Sequence, residues 1–309
     1  MQQPTTAGEI MLTRLVTLHP DEPVVPSIAK LLDLNITGAP VVEDRCTYLG
    51  VFAERSAMNF FTNTAHLAEF LRRVSPRLRA RDIMSRETLS LAPEYDACDA
   101  ISLMLAKGVS GALVIDPSGR YLGVFSEKTG MSLLIGAAYD QLPTCRVDAF
   151  MDTDRSRLID EDRDVVAIME TFLETHLRRL PVMRGSQIVG QITRRDVLKA
   201  CMATAQGSQE AKDPTMHQGL RHQAQELCVG DVMDRAAKTI GPDLDLLSIA
   251  EIFLTTPYRR LSVVRDGELL GLVRRRDLMR VVDRVTAGCE KPVRRLLYLS
   301  ALGRGPTFS

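Results

Sequence analysis

The chain has 309 residues, of which 45% are hydrophobic and 25% charged, and its 39 basic side chains balance 39 acidic ones. These values exclude a disordered or fibrous chain and leave no global charge that would attract nucleic acid or a membrane surface. The sequence does not open with a basic start and an apolar stretch, and no apolar run approaches the roughly 18 residues that span a bilayer. We therefore expect a cytoplasmic protein without a membrane partner.

Residue types that carry out catalysis or bind metals do not form convincing groups in this sequence. The six cysteines are dispersed without a C-x-x-C pair, which favours reduced thiols over a disulfide framework. His217 and His222 have no cysteine or acidic residue at a ligand spacing, so we predict no metal site. Neither a Gly-x-Ser-x-Gly elbow nor a Gly-rich loop of the nucleotide triphosphatase kind occurs, and we expect no catalytic residue and no enzyme.

Four segments of the chain share one plan, in which an apolar strand is followed by a polar turn and a second strand that carries a glycine. The turns contain Gly, Asp, Pro or Ser, as tight reversals require, and the flanking runs are rich in β-branched residues. Each segment is therefore predicted to be a β-hairpin. In chain order the segments are TGAPVVEDRCTYLGVFAERS, SGALVIDPSGRYLGVFSEKT, RRLPVMRGSQIVGQITRRD and RRLSVVRDGELLGLVRRRD, with Gly50, Gly123, Gly190 and Gly271.

A second shared block precedes each hairpin. It begins as a short strand, passes proline and acidic residues that suit a helix start, and continues with apolar residues at helical spacing. In the third copy Val165, Ile168, Met169 and Phe172 fall on one helical face. The repeated unit is therefore strand, helix, strand, strand, followed by a second helix such as RDVLKACMATA after the third hairpin.

This repeated unit resembles the cystathionine β-synthase (CBS) domain family. The resemblance rests on the strands GAPVV and RLPVM, on the glycine turn into the second strand, and on the introductory motifs RDIM and GDVM before repeats 2 and 4. It implies an α/β (α+β) fold of four CBS repeats with the order β-α-β-β-α. It further implies that repeats pair into modules with pseudo-two-fold symmetry, and one such pair is also called a Bateman module.

Consecutive repeats are expected to form these pairs, because one unit alone leaves a sheet face and a helix stripe uncovered. The first pair would occupy residues 1–140, with repeats at about 15–61 and 79–135. The second pair would occupy residues 144–309, with repeats at about 146–202 and 228–283. The segment Tyr139 to Cys145 reads as the join, and the polar, aperiodic stretch at about 205–225 predicts a flexible loop.

The resemblance also implies ligand sites in clefts between paired repeats. The element is Gly-x-apolar-Ser/Thr-x-x-Asp, in which the hydroxyl approaches phosphate and the carboxylate accepts hydrogen bonds from the ribose hydroxyls. Repeat 3 matches it completely with Thr193 and Asp196, whereas repeat 4 keeps Asp277 and has Arg274 in place of the hydroxyl. Repeats 1 and 2 lack the carboxylate, having Ser56 and Thr129 at that position, so the second pair is the expected binder.

Arginines distinguish the second pair in the same way. Arg178, Arg179, Arg259 and Arg260 precede the apolar strands of repeats 3 and 4, a position that in nucleotide-binding relatives directs basic residues at phosphate. We expect them, with Arg274, Arg275 and Arg276, to face the cleft and grip phosphate in bidentate forks. Thr239 matches a family position near the base and ribose, where repeat 3 has Leu158.

Plainer interpretations stay open for each of these residues. Asp196 and Asp277 begin helices, where an aspartate is favourable as a cap whatever else it does. The arginines could be solvated charges or partners of nearby acids, and the hairpin glycines are expected to permit turns or close backbone approach rather than to touch a ligand.

The leading hypothesis is a non-catalytic regulatory sensor that binds an adenine nucleotide mainly in the second CBS pair. AMP, ADP and ATP are the expected ligands and S-adenosylmethionine is an alternative; no catalytic cofactor is expected. The signal would reach a regulated protein partner or a second copy of the chain, in which case the protein is a homodimer. One rival is an interaction or dimerisation scaffold with vestigial clefts. A weaker rival is nucleic-acid binding through the C-terminal arginine cluster, which few aromatic residues accompany.

Overall fold

The computed structural model of the protein describes residues 6–44, 46–63, 78–138, 145–207 and 227–286. Four repeats follow one another, each with a helix, a two-stranded antiparallel hairpin and a closing helix. In repeats 2, 3 and 4 a two-residue strand precedes the first helix and runs parallel to the first hairpin strand. In repeat 1 a single bridge between Leu18 and Val41 takes its place. This is the predicted order of elements.

A short lead segment, one turn of helix, precedes each repeat. For repeat 1 the lead segment and elements are α1 (Ala7–Ile10), α2 (Val24–Asp33), β1 (Gly38–Glu43), β2 (Thr47–Ala53) and α3 (Glu54–Asn63). For repeat 2 they are α4 (Ala80–Ile83), β3 (Ser90–Leu91), α5 (Ala97–Ala106), β4 (Gly111–Ile115), β5 (Tyr121–Ser126) and α6 (Glu127–Ala138). For repeat 3 they are a 3-10 turn (Val147–Ala149), β6 (Ile159–Asp160), α7 (Val165–Glu174), β7 (Arg179–Arg184), β8 (Gln187–Thr193) and α8 (Arg194–Gly207). For repeat 4 they are α9 (Val229–Val232), β9 (Thr239–Ile240), α10 (Leu246–Thr255), β10 (Arg260–Arg265), β11 (Glu268–Arg274) and α11 (Arg275–Thr286).

Local sequence determines where the first helix of each repeat begins. Asp96, Asp164 and Asp245 are the N-cap residues of α5, α7 and α10, and each carboxylate accepts hydrogen bonds from backbone N–H groups of the first turn. Such caps satisfy donors that have no partner inside the helix. In repeat 1 the cap position is Pro23, which offers no such side chain; the backbone N–H of Val24 donates to the carbonyl of Leu227 from another lead segment, as the first residues of α5 and α7 donate to theirs.

The described residues divide into two compact units that combine alternate repeats. The odd unit, Leu15–Glu87 and Ser156–Ala237, holds repeats 1 and 3, and the even unit, Met1–Arg14, Thr88–Arg155 and Lys238–Ser309, holds repeats 2 and 4. In the odd unit α3 packs against α7 and α8, and in the even unit α11 packs against α5 and α6. Each unit encloses its own apolar core.

This grouping differs from the expected pairing of consecutive repeats within 1–140 and 144–309. All four repeats carry an apolar helix face of the same kind, so the local pattern shows that a face must be covered but does not say by which repeat. Each lead segment belongs to a unit other than that of the repeat that follows it.

Each lead segment packs on a repeat other than the one that it precedes. The segment before repeat 1 lies on repeat 4, with bridges from Thr6 to Asp245 and from Leu12 to Leu272. The segment before repeat 4 lies in turn on repeat 1, with bridges from Cys228 to Pro23 and from Asp234 to Val51. Repeats 2 and 3 exchange their lead segments in the same way, through Arg79–Asp164, Ser85–Gln191, Arg146–Asp96 and Asp152–Val124.

The lead segments pack directly against the hairpin glycines. A Cβ on Gly190 would lie 2.7 Å from the carbonyl oxygen of Ser85 and 2.8 Å from the sulfur of Met84. Gly271 stands in the same relation to Met11 and Leu12. Only a residue without a side chain allows two backbones to approach so closely, which is the structural role that the sequence predicted for these glycines.

Two sequence predictions fall largely on residues that the structure does not describe. The expected flexible loop at 205–225 begins inside α8, and from residue 208 it lies outside the described residues. The join from Tyr139 to Cys145 also lies outside them, apart from Cys145. Within the described ranges, no helix has both the length and the apolar character needed to cross a bilayer.

Candidate functional site

The hairpin of repeat 3 brings together most of its predicted site residues. Arg179 and Thr193 are cross-strand partners at the open end of the β7–β8 hairpin, and α8 begins directly after Thr193. Arg178 adjoins Arg179, and Asp196 lies in the first turn of α8. A guanidinium pair, a hydroxyl and a carboxylate therefore lie at one edge of the odd unit.

Asp196 caps its own helix with one carboxylate oxygen only. Its Oδ2 accepts hydrogen bonds from the backbone N–H and the hydroxyl of Thr193, both at 2.7 Å. Asp196 is the third residue of α8, and its bond from the backbone N–H of Thr193 is one half of a capping box, which agrees with the helix-start interpretation. No hydrogen bond from the described residues reaches Oδ1, and the side chain is half-buried. One oxygen of Asp196 thus keeps its capacity to accept hydrogen bonds.

Asp277, the equivalent residue of repeat 4, is enclosed by arginines. Its Oδ2 accepts from the backbone N–H and Nε of Arg274, and its Oδ1 accepts from Nη2 of Arg274 and Nη1 of Arg280. The residue is only 5% exposed. Hydrogen bonding to Asp277 raises the pKa of Arg274 against the opposing effect of burial. Both oxygens are occupied, so Asp277 offers a ribose no open acceptor.

The predicted phosphate ligand Arg259 contacts an acid from another repeat. Nη2 of Arg259 donates to Oε2 of Glu127 at 3.0 Å, and Nε of Arg276 donates to Oε1 at 3.3 Å. Burial tends to raise the pKa of Glu127, but the two guanidinium groups together lower it below 4.5. In the odd unit Nη2 of Arg195 lies 3.5 Å from Oε1 of Glu54, at the equivalent positions. The positive charges of these arginines therefore neutralise acidic side chains of the other repeat in the same unit.

Arg275, expected to face the cleft, is instead a buried structural residue. Its Nη2 donates to the carbonyls of Phe253 and Thr256 at the end of α10, and its guanidinium lies over the ring of Phe253. Burial and the nearby charge of Arg259 lower its pKa to about 10. Arg194 does the same in repeat 3, where it binds the carbonyl of Phe172 at the end of α7. Cations at a helix C-terminus satisfy its last carbonyls.

The remaining predicted residues of repeat 4 lie on one face of its sheet. Arg260 is the cross-strand partner of Arg274, and Thr239 on β9 is the partner of Ser262 on β10. Thr239 is exposed, and Arg260 is half-buried and interacts with other groups of the protein. Repeat 3 belongs to the odd unit and repeat 4 to the even unit, so the residues expected around one crevice are divided between the two units.

Sequence reasoning missed the acids that neutralise the arginines. Glu54 and Glu127 begin α3 and α6, at the position where α8 and α11 begin with Arg194 and Arg275. The four hairpins aligned on each other show this contrast of charge directly. It signals that repeats 1 and 2 carry acids to meet the arginines of repeats 3 and 4.

The described residues contain no group of three or more His, Cys, Asp or Glu side chains placed to hold a metal ion. Five cysteines within these ranges, Cys46, Cys98, Cys145, Cys201 and Cys228, are free thiols. Burial raises the pKa of Cys201 to about 12, and burial with the nearby Asp96 raises that of Cys98 to about 12. Thiols of this kind are poor nucleophiles at neutral pH.

A sequence model of the CBS domain matches four stretches of the chain, residues 7–63, 80–135, 150–203 and 229–284, which together make up more than half of it. The protein belongs to the CBS domain family. The family and the fold of four α/β repeats, both predicted from the hairpin plan, are confirmed.

Similar proteins of known sequence share the four-repeat length. The 33.4 kDa protein in ribosomal RNA operon of Thermofilum pendens is 24% identical over 278 residues, which covers 85% of this chain and 88% of the relative. Protein MJ1225 of Methanocaldococcus jannaschii is 22% identical over 284 residues, 86% of this chain and 95% of that protein. The crystal structure of MJ1225 covers 88% of this chain and 97% of its own with 21% identity and a TM-score of 0.40.

A solved CBS protein in complex with AMP, CBSX2, is similar over a shorter range. It is 24% identical, covers 41% of this chain and 97% of its own, and has a TM-score of 0.37.

Proposed function

We propose that this CBS protein is a non-catalytic sensor that binds an adenine nucleotide at the edge formed by Arg178, Arg179, Thr193 and Asp196. The observation that supports the proposal is the open Oδ1 of Asp196 beside a complete Thr-x-x-Asp element. An ionised carboxylate makes strong, charge-assisted hydrogen bonds to a diol, and guanidinium groups suit phosphate.

The phosphate in this proposal must compete with existing contacts. Arg178 and Arg179 both interact with other groups of the protein, so phosphate binding would redistribute hydrogen bonds at the start of β7. A ligand shifts a conformational equilibrium only by the difference between its affinities for the two states. Exchange of these arginine contacts supplies a difference in ligand affinity between the two conformations. The resulting conformational change would be recognised by a partner protein or by a second copy of the chain.

An interaction scaffold is the second candidate, and the closed state of Asp277 favours it. With Ser56 and Thr129 in place of the carboxylate in repeats 1 and 2, three of the four repeats offer no open acidic group at this position. The arginine cluster of repeat 4 is a poor candidate for nucleic-acid binding. Arg259, Arg274 and Arg276 contact Glu127 or Asp277, and Arg275 is buried.

Calorimetric titration of the full chain with AMP, ADP, ATP and S-adenosylmethionine tests the sensor against the scaffold. Saturable binding that Asp196→Asn weakens at least about tenfold supports the site, since hydrogen bonds to charged groups contribute about 1.5–3 kcal/mol. Asp245→Asn is the matched control, because it alters another helix-start carboxylate remote in sequence from the motif. No binding across the panel, or equal affinity for wild type and Asp196→Asn, would favour the scaffold.

A further inference from the structure

One cross-strand pair in each hairpin distinguishes repeats 3 and 4 from repeats 1 and 2. The pair lies two positions inward from the pair at the open end of the hairpin. In repeats 1 and 2 it is wholly apolar, and in repeats 3 and 4 it has one polar member. The four pairs are Pro40–Val51, Leu113–Val124, Pro181–Gln191 and Ser262–Leu272.

The polar member of each pair has a buried side-chain oxygen without a hydrogen-bond partner among the described residues. In repeat 3 the atom is Oε1 of Gln191, and in repeat 4 it is Oγ of Ser262. A buried polar atom left unpaired destabilises the folded protein, so groups of this kind need an explanation. In repeat 3 the explanation is suggested by the neighbouring residues.

Gln191 lies two residues before Thr193 on β8, and alternate residues of a strand point to the same face. The carboxamide of Gln191 therefore shares a face with the hydroxyl that donates to Asp196. Residues at this spacing are about 6.8 Å apart along a strand, which is comparable with the distance from a ribose to the outer edge of its purine. A nucleotide with its ribose at Asp196 would place its base within reach of Gln191.

We infer that the carboxamide of Gln191 reads the base of the nucleotide and selects a 6-aminopurine, an inference that rests on the function proposed above. Adenine has a 6-amino donor beside the N7 acceptor, and a glutamine carboxamide matches both, accepting with its oxygen and donating with its nitrogen. A 6-oxopurine has two acceptors there. It would leave Oε1 buried and unpaired, so the site rejects it.

Calorimetric affinities of the full chain for AMP and IMP test this inference, because the two nucleotides differ only in the 6-substituent of the base and in the hydrogen that the 6-oxo form carries on N1. We expect AMP to bind the wild type at least about tenfold more tightly than IMP, the discrimination typical of a bidentate base contact. Gln191→Met, which keeps the side-chain length, should weaken AMP binding and bring the ratio of the two affinities close to one. Gln191→Leu is the second variant, and circular dichroism establishes that each variant is folded.

Ser262→Ala is the matched control, since it removes the equivalent unpaired atom of repeat 4 and should leave the AMP to IMP ratio unchanged. The outcomes separate the two proposals. Failure of the wild type to bind AMP overturns the proposed function together with the inference. Binding of AMP that depends on Asp196 but equals that of IMP, or that is unaltered in both Gln191 variants, overturns the role of Gln191 alone.

Discussion

Arg259 of repeat 4 donates from Nη2 to Oε2 of Glu127 of repeat 2 at a distance of 3.0 Å. The two residues join alternate repeats inside the even unit, and Arg276 adds a second guanidinium to the same carboxylate. Glu54 and Arg195 repeat the relationship in the odd unit. Arginines that the sequence suggested for phosphate therefore help to hold paired repeats together.

Glu127→Gln should lower the free energy of unfolding by about 3 kcal/mol, because it leaves two partly buried guanidinium groups without their counter-charge. The side chain of Glu127 is only 7% exposed, so water cannot replace the lost contact. Urea denaturation near pH 7, followed by circular dichroism, measures the change.

Asp243→Asn provides the control for Glu127→Gln. Asp243 pairs with Arg265 at 2.8 Å, but its side chain is 89% exposed. Exposed pairs contribute less than about 1 kcal/mol, so this variant should be close to wild type. An equal loss of unfolding free energy in the two variants would show that burial does not make the Glu127 contacts more stabilising than an exposed ion pair.

The contribution of Glu127 should also depend on pH. Its pKa in the folded protein is lowered below 4.5 by Arg259 and Arg276, despite its burial. Between the folded-state and unfolded-state pKa values the unfolded chain binds more protons, so stability rises with pH there. The stabilisation is fully present above about pH 5 and is lost as the pH falls through the folded-state pKa. The difference in unfolding free energy between wild type and Glu127→Gln should shrink on acidification, and a constant difference from about pH 6 to about pH 3 would contradict this assignment.

Gly190→Ala should destabilise the protein by about 1–3 kcal/mol, the cost of overpacking a closely packed contact. The new methyl group would lie 2.7 Å from a backbone oxygen of Ser85, which cannot move without displacing the lead segment. Gly241→Ala is the control, since nothing lies within 4 Å of its Cβ position. Thermal unfolding of both variants measures the effect. A Gly190→Ala protein as stable as Gly241→Ala would disprove the close contact between Gly190 and the lead segment.

Ser262→Ala should raise the free energy of unfolding by about 1 kcal/mol, because it removes a buried hydroxyl that has no partner among the described residues. Ser27→Ala is the converse case. Ser27 is equally buried, but its hydroxyl donates to the carbonyl of Pro23 at 2.9 Å, so its loss should destabilise. Chemical denaturation of both variants tests the contrast. Destabilisation of both by the same amount would mean that the Ser262 hydroxyl has a partner.

The arrangement of the proposed site in repeat 3 could largely be predicted from sequence because its residues are close together along the chain. Thr193 and Asp196 lie on one helix start, and the hairpin register brings Arg179 beside Thr193. The different state of Asp277 could not be predicted in the same way. Its segment departs from the element Gly-x-apolar-Ser/Thr-x-x-Asp at one position, yet the residue there, Arg274, turns back onto the carboxylate and occupies both oxygens.

The sequence by itself determined the four repeats, the order of elements within each, and the caps and glycines that shape them. These features depend on interactions between residues near in the chain, so hydrophobic period and turn chemistry are enough to specify them. Only the tertiary structure decided that repeat 1 joins repeat 3 and repeat 2 joins repeat 4, and that Glu127 neutralises Arg259. Four similar apolar faces can cover one another in several ways, and the choice depends on long-range contacts, such as a lead segment on a distant glycine, that no local pattern encodes.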